Sequence, residues 1–394
     1  MNRHSLKSAI QLVIVFFAGI NIVSAQTNSV NVVTTSVPFL RISPDARSGG
    51  MGDVGVATAP DANASFWNVA KVPFNKNSAG IGVTYTPWLK DLGLGDVFLA
   101  TLGSYYKLDD DQALSASMRY FSLGNIQFAD YSGNITGNFS PKEYSFDVGY
   151  SRKLSEKISI GASLRYIVSS LVNGGVSING TVYKTGHAVA GDVTLYSDNT
   201  DKTGEGVTWG IALTNLGSKI GYTNDAANKD FIPANMGLGV TYTKVFDETN
   251  KLTFALDVNK LLVPIAPISQ DNGGPIDSAN LSTYRNLGVM NSWTKSFNDG
   301  SNQMKDLQFS VGAEYSYANQ FMFRAGYFYE SAERGNRKYF SVGTGLKYNI
   351  FGINLSYLVP SGNGVTKNPL SNTLRLGITF DLGTEESVGN NNGY

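Results

Sequence analysis

Few residues of this chain are equipped for chemistry, and their spacing limits what they can do. Gly50-Met51-Gly52-Asp53-Val54-Gly55 matches the G-x-G-x-x-G pattern that cradles a pyrophosphate. That chemistry needs a strand before the glycines, a helix after them and a βαβ unit around both. The segments that follow read as strands with no crossover helix between them. The glycines are therefore read as places where backbone packs closely in a confined space. Asp198, Asp201 and Glu205 bring three carboxylates into one turn, a donor set of the kind that binds Ca²⁺. Their spacing lacks the full ligand loop, and polar turns are commonly acidic, so a solvated turn is expected. His187 stands alone once His4 is assigned to a leader, there is no Cys, and no serine sits in G-x-S-x-G. This inventory supports no catalytic triad, no thiolate or imidazole metal site and no disulfide. No catalytic residue, metal or cofactor is expected.

The elements that must hold these residues read in twos. In Phe309–Tyr317, apolar or aromatic residues alternate with small or polar ones, and Leu374–Asp381 does the same with charges in the polar set. A period of two is a strand whose faces meet two different surroundings. Fourteen such segments follow Ser78, near 78–88, 96–107, 112–122, 142–153, 157–169, 187–196, 206–216, 234–246, 251–260, 305–317, 320–330, 337–348, 351–359 and 372–382. Most have the ~9–11 residues with which a tilted strand crosses a membrane. Short connections (108–111, 154–156, 197–205, 247–250, 318–319, 349–350) alternate with longer ones (89–95, 123–141, 170–186, 217–233, 261–304, 331–336, 360–371). Outer-membrane barrels have short periplasmic turns and long extracellular loops. A soluble β-sandwich shares the alternation but has no reason to keep the two-beat rhythm of connections.

The start of the chain agrees with export. Arg3 and Lys7 precede an apolar run, Ile10–Ile20, and Val23-Ser24-Ala25 places small residues where a leader is cleaved, before Gln26. The apolar run is shorter than the ~20 residues a spanning helix needs. The chain carries 31 basic and 31 acidic residues, and 42% of it is hydrophobic. A near-neutral chain gives no support to nucleic-acid binding. The expected organisation is a signal peptide over 1–25, a flexible periplasmic tail over 26–37, a Gly-, Ala-, Asp- and Asn-rich segment without sustained alternation over 38–77, a barrel over 78–382 and a periplasmic tail over 383–394. The expected fold is all-β: a 14-stranded antiparallel transmembrane β-barrel.

Parity assigns the two faces. Ile158, Ile160, Leu164, Tyr166, Leu252, Phe254, Leu256 and Val258 fall on the lipid side. Arg119, Arg165, Arg324 and Arg375 share the opposite parity with Asp147, Asp192, Asp257 and Glu314. A charge facing lipid costs ~2–4 kcal/mol at the midplane, so these eight are placed inward. They form either a polar network that stiffens the barrel or the selectivity lining of a pore. Tyr85, Trp88, Tyr105, Tyr144, Trp209, Tyr242, Tyr317, Tyr329, Tyr348 and Phe380 lie near segment ends and are assigned to the interfacial girdles. The connection 261–304 is long and opens on Leu261-Leu262-Val263-Pro264-Ile265. Such an apolar stretch either folds over the barrel mouth or offers a protein-binding patch. Leu262, Val263, Ile265 and Trp293 are the candidate contact residues.

The segment Phe39–Thr58, with its continuation Asp61–Lys71, resembles the N-terminal signature of the PorV family, outer-membrane components of the type IX secretion system. The wider resemblance is to FadL-like fourteen-stranded barrels, whose N-terminal segment folds into the lumen as a hatch. Asn68-Val69-Ala70 departs from the Asn-Pro-Ala of many relatives. On this resemblance residues 38–77 are a hatch or plug in the lumen, and Arg47, Gly50, Gly52, Gly55, Asp61 and Asn68 are hatch residues. The resemblance implies a non-enzymatic protein in the outer membrane of a Gram-negative, Bacteroidota-type cell. It would receive the C-terminal signal domains of secreted proteins, dock on a SprA/Sov-type translocon barrel and deliver cargo to PorU/PorZ attachment proteins. A FadL-like transporter of hydrophobic small molecules is the alternative, and a diffusion porin a third reading.

Overall fold

A computed structural model describes residues 35–88, 95–129, 132–172, 175, 177–178, 180–225, 229–267, 278–299, 302–361 and 373–384. The leader, residues 26–34 of the expected tail and residues 385–394 lie outside the described residues.

The fourteen alternating segments become fourteen strands: β1 (Asn77–Pro87), β2 (Val97–Lys107), β3 (Gln112–Leu123), β4 (Lys142–Lys153), β5 (Ile158–Ser170), β6 (Gly186–Thr200) and β7 (Gly206–Gly217), then β8 (Asn235–Val245), β9 (Asn250–Leu261), β10 (Leu307–Tyr317), β11 (Phe321–Glu330), β12 (Lys338–Tyr348), β13 (Phe351–Pro360) and β14 (Leu374–Thr384). Each pairs antiparallel with the next, and β1 closes on β14 with Gly80 opposite Asp381. Closure leaves no strand edge unpaired, which a sheet in lipid requires. One connection shows how tight the turn end is. Ala318 and Asn319 both take positive φ, 53° and 52°, and Gln320 N–H donates to Tyr317 O at 3.0 Å. This is the mirror-image turn that matches the twist of two-residue hairpins. Among the described residues, the other end carries three small hairpins beyond the wall and two helices, α2 (Ser278–Asn286) and α3 (Val289–Lys295).

The burial pattern follows parity. Leu164 is 67% exposed while its neighbour Arg165 is 3% exposed. All eight charged residues assigned inward are buried, and Ile160, Tyr166, Phe254 and Leu256 are exposed on the outer face. The girdle assignment needs correction at two aromatics. Tyr105 is buried against Gly80 inside the wall, and Trp88 packs edge-on to Phe121 with the internal core of the loop end. Being near a strand end does not say which face a ring takes; parity does, and Tyr105 shares it with buried Val97, Leu99 and Thr101.

The lumen is filled by residues 35–76. They descend from the loop end, where Phe39 stacks on Phe121, to the turn end, where Lys107 Nζ donates to Asn75 O at 3.2 Å. The path contains 3₁₀ turns at Pro38–Arg41, Ala64–Phe66 and Val69–Phe74 and one short helix, α1 (Ala46–Gly49). The last residues of the expected periplasmic tail differ from expectation. Ser36 N–H donates to Phe231 O at 3.0 Å, and Val37 is buried with Phe39, Leu99 and Ile167 at the loop end. Val37 and Phe39 are apolar, and the core beneath the loops removes them from water.

Candidate functional site

The region that distinguishes this barrel is the seat of the hatch. Asp45 begins α1: its Oδ1 accepts from Ser48 N–H at 2.8 Å, the usual service of an N-cap carboxylate. Its Oδ2 accepts from Trp67 Nε1 at 2.7 Å, tying the two halves of the hatch together. One turn on, Arg47 reaches the wall. Its guanidinium donates through Nε and Nη2 to both oxygens of Glu314 at 3.1 and 3.0 Å, and through Nη1 to Asp61 at 3.0 Å. Arg324 on the neighbouring strand donates to the same Glu314 at 2.6 Å and to Asn354 at 2.8 Å. Glu314 is thus a buried carboxylate between two guanidinium groups, one from the hatch and one from the wall. A fork–fork pair of this kind fixes direction as well as distance.

A second knot is tied around one peptide group. Asp257, fully buried on β9, accepts from Gly55 N–H at 2.7 Å and Val56 N–H at 2.9 Å through one oxygen. Lys71 Nζ donates to Gly55 O at 2.6 Å and Thr58 Oγ1 at 3.2 Å, so the Gly55 peptide is gripped from both sides. Burial holds the Lys71 ammonium down to about 8, opposed chiefly by Asp61. Asn68 bridges hatch and wall: its amide donates to Val56 O at 3.1 Å and Leu195 O at 3.0 Å while its oxygen accepts from Ala70 N–H at 3.0 Å. Asn68 thereby caps the 3₁₀ turn that follows it.

The wall supplies space as well as partners. A Cβ on Gly326 or Gly312 would collide with the Met51 backbone, one on Gly161 would lie 2.7 Å from Ala70 N, and one on Gly343 3.0 Å from Gly50 Cα. These inward glycines sit on different strands at the depth where the hatch crosses them. Gly52 meets the Tyr327 backbone at φ +72°, where a side chain would be both strained and blocked. The G-x-G-x-x-G run therefore serves close backbone approach.

The eight inward charges do not form one network. Arg165 pairs with Asp147 and Asp192 and also donates to Asn215. Arg324 pairs with Glu314, and Arg375 lies 3.5 Å from Asp53, which also accepts from the Tyr339 hydroxyl. Arg119 meets only the carbonyls of Leu40 and Phe66 and the Phe66 ring, and Asp257 meets backbone amides. Sequence reasoning missed Asp45, Asp53, Lys71, Glu330 and Arg337. Glu330 and Lys71 are buried charges, and Glu330's parity on β11 would have marked it inward with Arg324.

Leu262 and Val263 need correction as contact residues. They are buried, with Leu262 N–H donating to Ala234 O at 2.8 Å, because the start of this loop continues the wall and turns in over the lumen. Ile265 and Trp293 are half-buried; Ile265 N–H donates to Asp299 at 3.1 Å. Among the described residues of this loop, the exposed large apolar ones are Met290 on α3, Phe297 after it and Met304 near its end. Lys260, Asp306 and Arg334 clamp the loop's feet, at 3.1 and 2.6 Å. At the turn end Asp201 accepts from Thr203 and Glu205 N–H, and Glu205 accepts from Lys244 Nζ at 2.6 Å and Val245 N–H. Asp201 Oδ1 and both Glu205 oxygens are thus engaged by neighbouring residues. Between the hatch and the loop half of the wall lies a cavity of about 110 Å³, lined both by polar residues such as Arg119, Asn215 and Gln308 and by apolar ones such as Leu40, Phe66 and Phe328.

A closed fourteen-stranded antiparallel barrel whose lumen is occupied by its own N-terminal segment is the class of protein that the fold and the hatch define. The toluene transporter TbuX of Ralstonia pickettii has a similar fold, at 11% identity and a TM-score of 0.52, covering 87% of this chain and 99% of that one. The monoaromatic hydrocarbon channel CymD is similar at 14% identity and a TM-score of 0.50, covering 87% of this chain and 98% of its own. At such identities the likeness is one of fold. No curated protein matches the chain by sequence. The family model for type IX secretion system protein PorV matches residues 24–268, and the chain belongs to that family. It is a type IX secretion outer-membrane protein.

Proposed function

We propose that this barrel is the cargo-receiving and docking component of type IX secretion. It takes the C-terminal signal domain of a secreted protein at its loop end, docks on the SprA/Sov-type translocon barrel and passes cargo to PorU/PorZ. It sits in the outer membrane with its long loops outside, in keeping with the orientation of such barrels, after cleavage of a leader over 1–25. The observation that carries this reading is the family match to PorV across the hatch and the first nine strands of the barrel. The filled lumen supports it, because a docking platform needs a stiff barrel and exposed loops and needs no open pore. The test is affinity purification of the tagged protein from native membranes. Recovery of a very large barrel protein together with secreted proteins is the expected result. Recovery of the barrel alone, with lipid or aromatic compounds inside it, would overturn the reading in favour of a transporter.

A further inference from the structure

The hatch has a direction, and it runs from the loop end to the turn end. Its last residues lie at the turn end, where Lys107 Nζ donates to Asn75 O and β1 begins at Asn77 opposite Thr384. Its first residues lie at the other end. Val37, Phe39, Leu40 and Ile42 share a core with Val97, Leu99, Phe121 and Ile167, which sit toward the loop ends of β2, β3 and β5. The connection 218–234 closes this core: Ile220 and Ile232 belong to it, and Phe231 O accepts from Ser36 N–H at 3.0 Å. Phe231 is itself held by the long loop. Lys219 Nζ lies 4.1 Å from its ring centre and donates to Arg285 O of α2 at 2.6 Å, and Tyr284 of α2 meets the ring edge-on. Ser36 thus leaves the core among the loops. On the turn side of it the lumen is occupied by the rest of the hatch, and the wall around it is closed. Asn31 is four residues from Thr35, a reach of about 14 Å. An eleven-residue strand such as β2 runs about 35 Å, so Asn31 cannot return to the turn end.

We propose that the hatch is threaded from outside the cell: the chain upstream of Ser36 is presented on the extracellular face, open to proteins and reagents there and closed to those of the periplasm. The proposal rests on the functional reading above for which end faces outward. It reverses the periplasmic placement that position in the sequence suggests for this tail. It also makes the hatch a thread pinned at both ends. One end is continuous with β1, and the other is held by Val37 and Phe39, which withdrawal toward the periplasm would pull out of their core. The pin lies beside α2, because Phe231 binds Ser36 through its carbonyl and Tyr284 through its ring.

The chain has no cysteine, so single cysteines report without background. The test places one in the tail, Asn31→Cys, and two markers at exposed positions: Met290→Cys on α3 at the loop end and Glu156→Cys in a connection at the turn end. Each variant of the full-length protein is treated in intact cells with a membrane-impermeant maleimide, and again after the outer membrane is permeabilised. Asn31→Cys and Met290→Cys are expected to be labelled in intact cells, and Glu156→Cys only after permeabilisation. Labelling of Met290→Cys without Asn31→Cys in intact cells would overturn the threading and leave the orientation standing. Labelling of Glu156→Cys but not Met290→Cys would overturn the orientation, and the extracellular placement of the tail with it.

Discussion

Glu314 concentrates much of the hatch's hold in one carboxylate, because it joins Arg47 of the hatch to Arg324 of the wall. Glu314→Ala leaves both guanidinium groups without it in a site where Arg324 is nearly inaccessible, and breaking a buried pair from one side costs ~3–5 kcal/mol. A urea titration of the refolded barrel in detergent should show its midpoint fall accordingly; an unchanged midpoint would sink this assignment. Lys71 gives a pH test. Its folded value, about 8, lies below the ordinary 10.5 because of burial, so between those two values the unfolded chain holds a proton that the folded one lacks. Stability from this group therefore rises as pH climbs through that window, by on the order of 1 kcal/mol per unit, and is flat below it. Lys71→Met should remove that slope relative to the native protein, and parallel curves would show that Lys71 is not the cause. The inward position of these charges was readable from parity, since lipid and protein interior are such different surroundings. Their pairing was not: Arg47 and Glu314 are 267 residues apart, and only closure of the barrel around the hatch brings them together.

The strands were legible because each must satisfy its backbone within the sheet and show one face to lipid, and those demands leave a period-two trace in sequence. All fourteen segments are strands, with ends moved by a few residues at most. The hatch was legible as an interruption of that period, but its path was not, because its residues answer to the wall and not to a repeat. The inward glycines are where the two meet, and they explain part of a content of 43 glycines that alternation alone does not. Gly326→Val places a branched side chain where the Met51 and Gly52 backbone lies. Backbone cannot yield as a flexible side chain does, so the hatch must shift away or the barrel must distort. The variant is expected to fold as a barrel with a displaced hatch, seen as ion conductance in planar bilayers and as protease cleavage within 45–75. A silent, protease-resistant Gly326→Val would show that the glycine belt is not what seats the hatch.

At the scale of the molecule, a stiff plugged cylinder gives way at one end to long, apolar-bearing loops. The largest of these begins as wall: Leu262 and Val263 are buried, and Lys260, Asp306 and Arg334 hold its feet together. What it offers outward lies further along, where Met290 on α3 is 74% exposed and Phe297 and Met304 are exposed on the loop's return. The clamped feet imply that the helices can be removed without opening the barrel. Replacing 278–299 with a short Gly/Ser linker should leave the heat-modifiable mobility of the folded barrel unchanged on gels. It should also leave the pull-down of the large translocon barrel measurable, so that loss of folding is separable from loss of recognition. Secreted proteins should then fall out of the co-purified material, because the exposed side chains of Met290 and Phe297 that would bury against cargo are gone, each worth ~1.5–3 kcal/mol when fully covered. Cargo recovered at the native level from the linker variant would move the receiving surface to other loops, the hairpin Ile126–Ala129 with Ile135–Phe139 being the next to delete, since Phe128 and Ile135 are exposed on it.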